Sequence, residues 1–361
     1  MAINRRQFLS FSAALTGPVL TAPVSAFASS SKIRFASCAK DGKDYILLLL
    51  DENGQIVRKN SLPSRGHGLV FSAKRDQILV FARRPGRYLG LWNFQNSAKP
   101  IFISAATGRH FYGHGCFSKG QDTIFATENV FDEERAVIGR YQLDEGQIKR
   151  IGEWDTGGIG AHEILLSQDG KSLIVANGGI ATHPNFPRQK LNIPEMHPSL
   201  CYLDPENGDI EEQVFLPGSL HKLSLRHLAQ DSQGRIWFGG QYQGGKKRDV
   251  PLIGWHKRGR NPVMLDLPVI KETVFSGYVG SVVADPVRQS IAFTFPREGK
   301  ALILDEKAPH AGTMINSSDI CGAASFDGGM SFTTGQGHFL SRGGEILNQG
   351  QIAFDNHLVA L

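Results

Sequence analysis

Five of the twelve histidines keep similar company. His67 lies in "RGHGLVFSAKRDQILVFARR", His114 in "YGHGCFSKGQDTIFATEN" and His162 in "GAHEILLSQDGKSLIVANGG". His227 opens on "RHLAQD" and His357 on "NHLVAL", again just before an apolar run. Neutral imidazole is a ligand for first-row ions such as iron, copper, zinc and nickel, so three or four converging rings would make a metal site. Two carboxylates stand near the pattern. Glu163 follows His162 directly, and Glu128 ends the second apolar run after His114. An ion as hard as iron would favour their inclusion.

Histidines so far apart in sequence meet only if a repeated element carries them. The recurring unit is an apolar strand, a polar turn with Ser, Asp, Gly or Lys, and a second apolar strand. First strands start at "GHGLVFS" (66–72), "GHGCFS" (113–118), "AHEILLS" (161–167), "RHLAQD" (226–231), "GSVVADP" (280–286), "GAASFDGG" (322–329) and "NHLVAL" (356–361). Those seven starts lie about 35 to 65 residues apart, around the roughly 40–50 of a four-stranded propeller blade. The last copy runs out of chain, while "KIRFASCAK", "DYILLLLDENG" and "QIVRKNSL" near the N-terminus are three strands without a leader. Pairing them closes a ring and hides two sheet edges. The fold expected is an all-β, seven-bladed β-propeller closed by pairing the C-terminal strand with the N-terminal strands, one domain over 29–361.

In a propeller the first strand of each blade lines the channel and starts on one face. His67, His114, His162, His227 and His357 would then head five channel strands and converge at one mouth, with Ser281 and Gly322 at the other two positions. A structural use of the same residues is open: WD-type propellers place a Gly-His before this strand and hold it by hydrogen bonds within the blade. The matching Trp-Asp is missing here, where Trp92-Asn93, Tyr141-Gln142 and Leu203-Asp204 stand instead. Five imidazoles at one locus are costly to bury without partners.

Two further features belong to the same face. The insertion "IATHPNFPRQKLNIPEMHP" (180–198) joins a second to a third strand, so His183, Met196 and His197 are candidates for a lid or an outer shell together with Glu128 and Glu163. Arg65, Arg109 and Arg226 precede first strands and are candidates for binding an anion, bidentately where it carries carboxylate or phosphate. Arg83, Arg84, Arg87 and Arg297 follow second strands there.

The remaining signals bound the function. "NRRQFL" with Arg5 and Arg6, the apolar stretch to Leu20 and the small-x-small Ala26-Phe27-Ala28 read as a twin-arginine (Tat) export signal over 1–28, which implies a periplasmic mature chain. No stretch of the mature chain is apolar enough to span a membrane. Cys38, Cys116, Cys201 and Cys321 form no CxxC, and the sequence names no disulfide pair. A net charge of +5 without basic runs among aromatics argues against nucleic acid. GxSxG, HExxH and P-loop signatures are missing.

The run "ANGGIATHPNFPRQKLNIPEMHPSLCYLD", then "LPGSLHKLSLRHLAQDSQGRIWFGGQYQG" and "PLIGWHK", resembles the bacterial family catalogued as domain of unknown function 1513, over essentially the whole mature chain. The resemblance implies an exported propeller whose genes lie beside imelysin-type iron-regulated proteins and a di-haem oxidoreductase. It thereby implies periplasmic iron handling with such partners. Three functions stay open at this point. One is a metal-binding propeller serving iron acquisition, with iron favoured over copper or zinc. Another is an interaction scaffold with structural histidines, docking an imelysin-like or redox partner. The last is a metal-dependent oxidoreductase or hydrolase.

Overall fold

The computed structural model describes residues 32–94, 98–144, 147–186, 189–245, 250–267 and 277–361; the expected export signal, 1–28, lies outside them. Seven antiparallel sheets of four strands are formed. Blade 1 holds β1 (Phe35–Asp41), β2 (Asp44–Leu50) and β3 (Ile56–Ser61) behind β28 (Ala353–Ala360). Blade 2 runs β4 (Gly66–Ser72), β5 (Gln77–Ala82), β6 (Tyr88–Asn93) and β7 (Ile101–Ser104). Blade 3 runs β8 (Arg109–Phe117), β9 (Thr123–Val130), β10 (Arg135–Asp144) and β11 (Gln147–Asp155). In blade 4 these are β12 (Ala161–Leu166), β13 (Leu173–Asn177), β14 (Ser199–Leu203) and β15 (Ile210–Phe215). Blade 5 holds β16 (Leu223–Gln230), β17 (Ile236–Tyr242), β18 (Ile253–His256) and β19 (Val263–Met264). Blade 6 has β20 (Ser281–Asp285), β21 (Ser290–Phe295), β22 (Lys300–Asp305) and β23 (Gly312–Asn316). Blade 7 ends the series with β24 (Ile320–Phe326), β25 (Gly329–Thr334), β26 (His338–Leu340) and β27 (Ile346–Gln349).

The expected closure is present. β28 pairs with β1 in the register Phe35 to Ala360, Ala36 to Val359 and Ser37 to Leu358, and the Leu361 N–H donates to the Arg34 carbonyl at 2.8 Å. The strand that ends the chain therefore becomes the innermost strand of the blade that begins the fold, and no open sheet edge remains at the seam.

Second strands read as continuous apolar runs because both their faces are covered. In β5, Ile78, Val80 and Ala82 pack toward Cys38, Leu47 and Leu49 of blade 1, while Leu79 and Phe81 pack toward Phe111, Ile124 and Ala126 of blade 3. Outer strands are half-exposed and alternate instead, as in β7 and β11. Burying both faces of every blade makes one continuous wall around the channel, rigid enough to fix what projects from the innermost strands.

All four cysteines are buried and unpaired, in β1, β8, β14 and β24 of four different blades. Burial pushes the Cys116 and Cys321 thiols up, and that of Cys201 up to about 12, so they act as small apolar side chains. Among the described residues no helix is long and apolar enough to cross a membrane.

Candidate metal centre

The five histidines come from β4, β8, β12, β16 and β28, five of the seven innermost strands. Each lies in or beside a β-bulge. The register of the innermost strand slips between Gly66 and Leu69, Phe111 and Gly115, Ala161 and Ile164, Leu225 and His227, and Phe354 and Leu358. In β4, β8, β12 and β28 the histidine is among the residues that leave the ladder, which re-aims its imidazole toward the axis; in β16 Arg226 leaves it and His227 pairs with Gly239. β20, which carries Ser281, pairs regularly with β21. β24 slips at Ile320 to Gly322, but Cys321 stands there instead of a histidine.

Carbonyls displaced from the ladder find new donors. Thr127 Oγ1 donates to the His114 carbonyl at 3.1 Å, Ser37 Oγ to the His357 carbonyl at 2.7 Å, and Thr294 Oγ1 to the Cys321 carbonyl at 2.8 Å. Glycine allows the close approach. Gly113 has φ +107°, and a Cβ there would sit 2.7 Å from Cδ2 of His67. That contact explains part of the recurring Gly-His spelling.

The rings form one cluster. His114 is central, with centroids 4.9 Å from His67, 4.8 Å from His162, 5.6 Å from His227 and 4.8 Å from His357. Potential ligand nitrogens group as His67, His114 and His357, and as His114, His162 and His227, each set within 4.8 Å. Tetrahedral coordination at imidazole distances places nitrogens about 3.3 Å apart, so modest inward motion would complete either triad around an ion. His114 belongs to both.

Placement differs from expectation in one respect. β8 begins five residues before His114, and β16 and β28 each begin four residues before His227 and His357. His67 and His162 stand second in β4 and β12, so the ring reaches from the strand heads down into the channel. On the side of the strand starts lies a cavity of about 660 Å³ touching His67 and His162. On the other side, a cavity of about 520 Å³ touches His114, His357 and Glu163 and is walled by Leu69, Ile164, Val282 and Leu358.

Carboxylates hold two of the rings from outside. His67 Nδ1 lies 2.8 Å from Asp355 Oδ1, and His227 Nδ1 lies 3.0 Å from Glu163 Oε2. In both cases the acid stands within two residues of one ring histidine and reaches the histidine of the next blade: Asp355 beside His357, Glu163 beside His162. This is the arrangement that orients a metal-ligating imidazole with Nε2 free. Asp355 escaped the sequence reading, although an acid beside a ring histidine is the signal that marked Glu163. His162 Nδ1 faces Arg226 Nη1 at 3.3 Å. The Nε2 atoms of His114 and His357 are buried without any hydrogen-bond partner.

Burial lowers the pKa of all five imidazoles, and neighbouring rings and arginines push those of His114, His162, His227 and His357 well down with it. They are neutral at neutral pH, with lone pairs available. Glu163 is pushed up to about 8, by burial first. Burial would raise Asp355 as well, but the His67 hydrogen bond, with the charges of Arg65 and Arg83, holds it far below the usual carboxylate range.

Several other candidates lie elsewhere. Glu128 is buried within blade 3, bonded to the Tyr141 hydroxyl and 3.0 Å from Arg150 Nη2. Side chains alternate along β9, so Thr127 meets the ring's backbone and Glu128 faces away. Arg109 pairs with Glu153 at 2.7 Å in the same cluster and takes no part in the channel. His183 lies 3.1 Å from Asp132 and lines a neighbouring cavity with His110 and Thr182. His197 is exposed against Phe215, and Met196 is buried. Among the described residues of the insertion Lys190 lines the channel cavity, beside Arg65, Arg83, Arg84, Arg226 and Arg297.

A closed ring of seven four-stranded blades with a histidine cluster across its channel defines a β-propeller with a candidate metal centre. The chain belongs to the family described as Protein of unknown function (DUF1513), which matches residues 60–361. A search of curated protein sequences finds no match. Among solved structures, the hydrazine synthase of Kuenenia stuttgartiensis is similar with a TM-score of 0.54 and 14% identity, over 75% of this chain and 76% of that one. A streptogramin B lyase is similar with a TM-score of 0.55 and 13% identity, over 83% of this chain and 95% of that one. At such identities the likeness is one of fold.

Proposed function

We propose that this chain is a periplasmic metal-binding propeller and an accessory of iron acquisition, with His67, His114, His162, His227 and His357 as the ligand set. The observation that carries the reading is the pair of buried, unpartnered Nε2 atoms on His114 and His357. A buried polar atom without a partner costs about 1–3 kcal/mol, and an ion accepting both lone pairs would remove that cost. The Asp355 carboxylate behind His67 supports it. An all-imidazole inner shell suits iron(II), copper, zinc or nickel. Iron, the periplasm, and imelysin-type or di-haem partners rest on the family resemblance and on the twin-arginine signal in the sequence.

Metal analysis of protein purified without chelator or histidine tag tests the reading. A stoichiometric first-row metal, lost when His114 is replaced, is the expected result. Protein that is metal-free and fails to take up iron, copper or zinc at micromolar concentration would overturn it. The interaction-scaffold alternative has one observation in its favour: His67, His162 and His227 already have hydrogen-bond partners, as structural histidines do.

A further inference from the structure

Above the ring, Arg65, Arg83, Arg84, Lys190, Arg226 and Arg297 surround the cavity of about 660 Å³, and among the described residues Asp319 is the one carboxylate in its lining. Asp355 lies behind, engaged by Arg65 at 2.6 Å and by His67. Among the described residues Arg83 and Arg84 meet no carboxylate at ion-pair distance; Arg84 lies over the ring of Tyr112 instead. Arg226 is 6% exposed, its one side-chain partner among the described residues is the neutral His162, and its Nε is buried without a partner there. Tyr112, 1% exposed and also in the lining, has a buried hydroxyl with no partner.

Guanidinium does not shed its proton in a protein, so these charges cannot relieve one another by neutralising. Like charges gathered on low-dielectric walls are unfavourable until an anion enters, and the field they focus draws one in. The elements are assembled for this from four blades: the head of β4 and the β5–β6 turn, the β13–β14 insertion, β16, and the β21–β22 turn. The volume lies in the range of small-molecule sites and exceeds what one inorganic ion fills.

We propose that this vestibule binds a small organic or condensed polyanion carrying two or more oxyanion groups, carboxylate or phosphate. Arg83, Arg84 and Arg226 take the oxyanions as charge-assisted, bidentate donors, and the Tyr112 hydroxyl supplies a further donor. The site does not need a metal in the ring, so it stands or falls separately from the metal reading.

Calorimetric titration of metal-free protein, dialysed free of chelator because chelators are themselves polycarboxylates, tests this at low ionic strength. The probes are tricarballylate, its uncharged trimethyl ester and inorganic pyrophosphate. Binding of tricarballylate or pyrophosphate, and not of the ester, is expected; which one binds more tightly assigns the carboxylate or the phosphate class. The double variant Arg83→Gln/Arg84→Gln should weaken binding about 100-fold, roughly tenfold per charged donor. Should the double variant fold poorly, Arg84→Gln alone should still cost about tenfold at unchanged melting temperature. Arg258→Gln, outside the cavity, should change nothing. No binding of either anion at millimolar concentration, or binding indifferent to the double variant, overturns the proposal.

Discussion

The ring and the vestibule are two concentrations of basic nitrogen in one channel, the ring on innermost strands and the vestibule mostly on the turns above them, and burial treats them in opposite ways. In the ring, desolvation strips the protons from five imidazoles and leaves lone pairs facing one another. In the vestibule the groups are guanidinium, which keeps its charge, and the strain of like charges stays in place. Burial lowers Arg226 only to about 10, and the neighbouring Arg84 and Arg83 act in the same direction. One region is therefore built to attract cations, the other anions, although both are rich in the residues usually counted together as basic. His162 and Arg226 mark the border, 3.3 Å apart, with the arginine donating to Nδ1 of a ring that stays neutral.

The largest expected effect comes from the strand both regions share. β28 carries Asp355 and His357 of the ring and Asn356 of the vestibule, and it closes blade 1. Deleting 356–361 should cost a sizeable part of the folding stability of about 5–15 kcal/mol typical of such proteins, seen as loss of the cooperative melting transition. A truncated chain that melts like the full one would show that the seam is not a structural necessity.

Next in size is a replacement that separates ligand from scaffold. His114→Leu keeps the volume, and it removes the one residue common to both triads. Metal affinity should fall by about 1,000-fold or more, the scale of losing a shared ligand from a site whose total binding reaches 10–16 kcal/mol. The metal-free protein should melt within a few degrees of wild type, because the Nε2 being removed has no partner to lose. A strongly destabilised apo variant would instead mean that His114 is a structural histidine.

The contrast between the two regions also explains what was legible in the sequence. Blade count and closure were legible because strand patterning and turn residues are local, and the leaderless strands at Phe35–Asp41, Asp44–Leu50 and Ile56–Ser61 matched the unaccompanied strand at the C-terminus. The histidine convergence followed from repeat position alone. Depth in the channel did not, since bulges at Phe111–Gly115 and Phe354–Leu358 lengthen the strand ahead of the histidine without altering the apolar pattern. Glu128 misled because a carboxylate at a strand end can face either side of the sheet, and the gap left by Gly139 turns it toward Tyr141. Lys190 was hidden in an insertion whose path has no periodicity, where histidines drew more notice than the lysine between them.

A pH titration of stability reads the neutral state of the ring directly. Imidazole in the unfolded chain has a pKa of about 6.5, and in the folded ring it lies lower. Between those values the unfolded chain binds protons that the folded one does not. The histidines' share of apo stability should therefore be full above about pH 6.5 and fall as pH drops toward the folded values, each such histidine contributing a slope of about 1.4 kcal/mol per pH unit, against a single opposing slope from Glu163, which is pushed up to about 8. His114→Leu should flatten the curve by one histidine's share. Stability that rises on acidification through this window would mean that the ring is protonated in the folded protein.

Salt gives the smallest effect and the sharpest separation. Screening lengths shrink from about 10 Å at 0.1 M to about 3 Å at 1 M, so attraction between separated charges fades over that range. The vestibule opens to solvent through the half-exposed Arg83 and Arg84, and its attraction for an anion is a sum over several such charges. Raising sodium chloride over this interval should weaken polyanion binding by roughly tenfold, with chloride competing for the same donors. Coordination by imidazoles in a desolvated ring is short-ranged and its direct ligands are uncharged, with Asp355 and Arg226 held against the rings out of reach of screening, so metal affinity should move by no more than about twofold over the same interval. Equal salt dependence for the two ligands would mean that they occupy one site, with the anion held by the metal and not by the arginines.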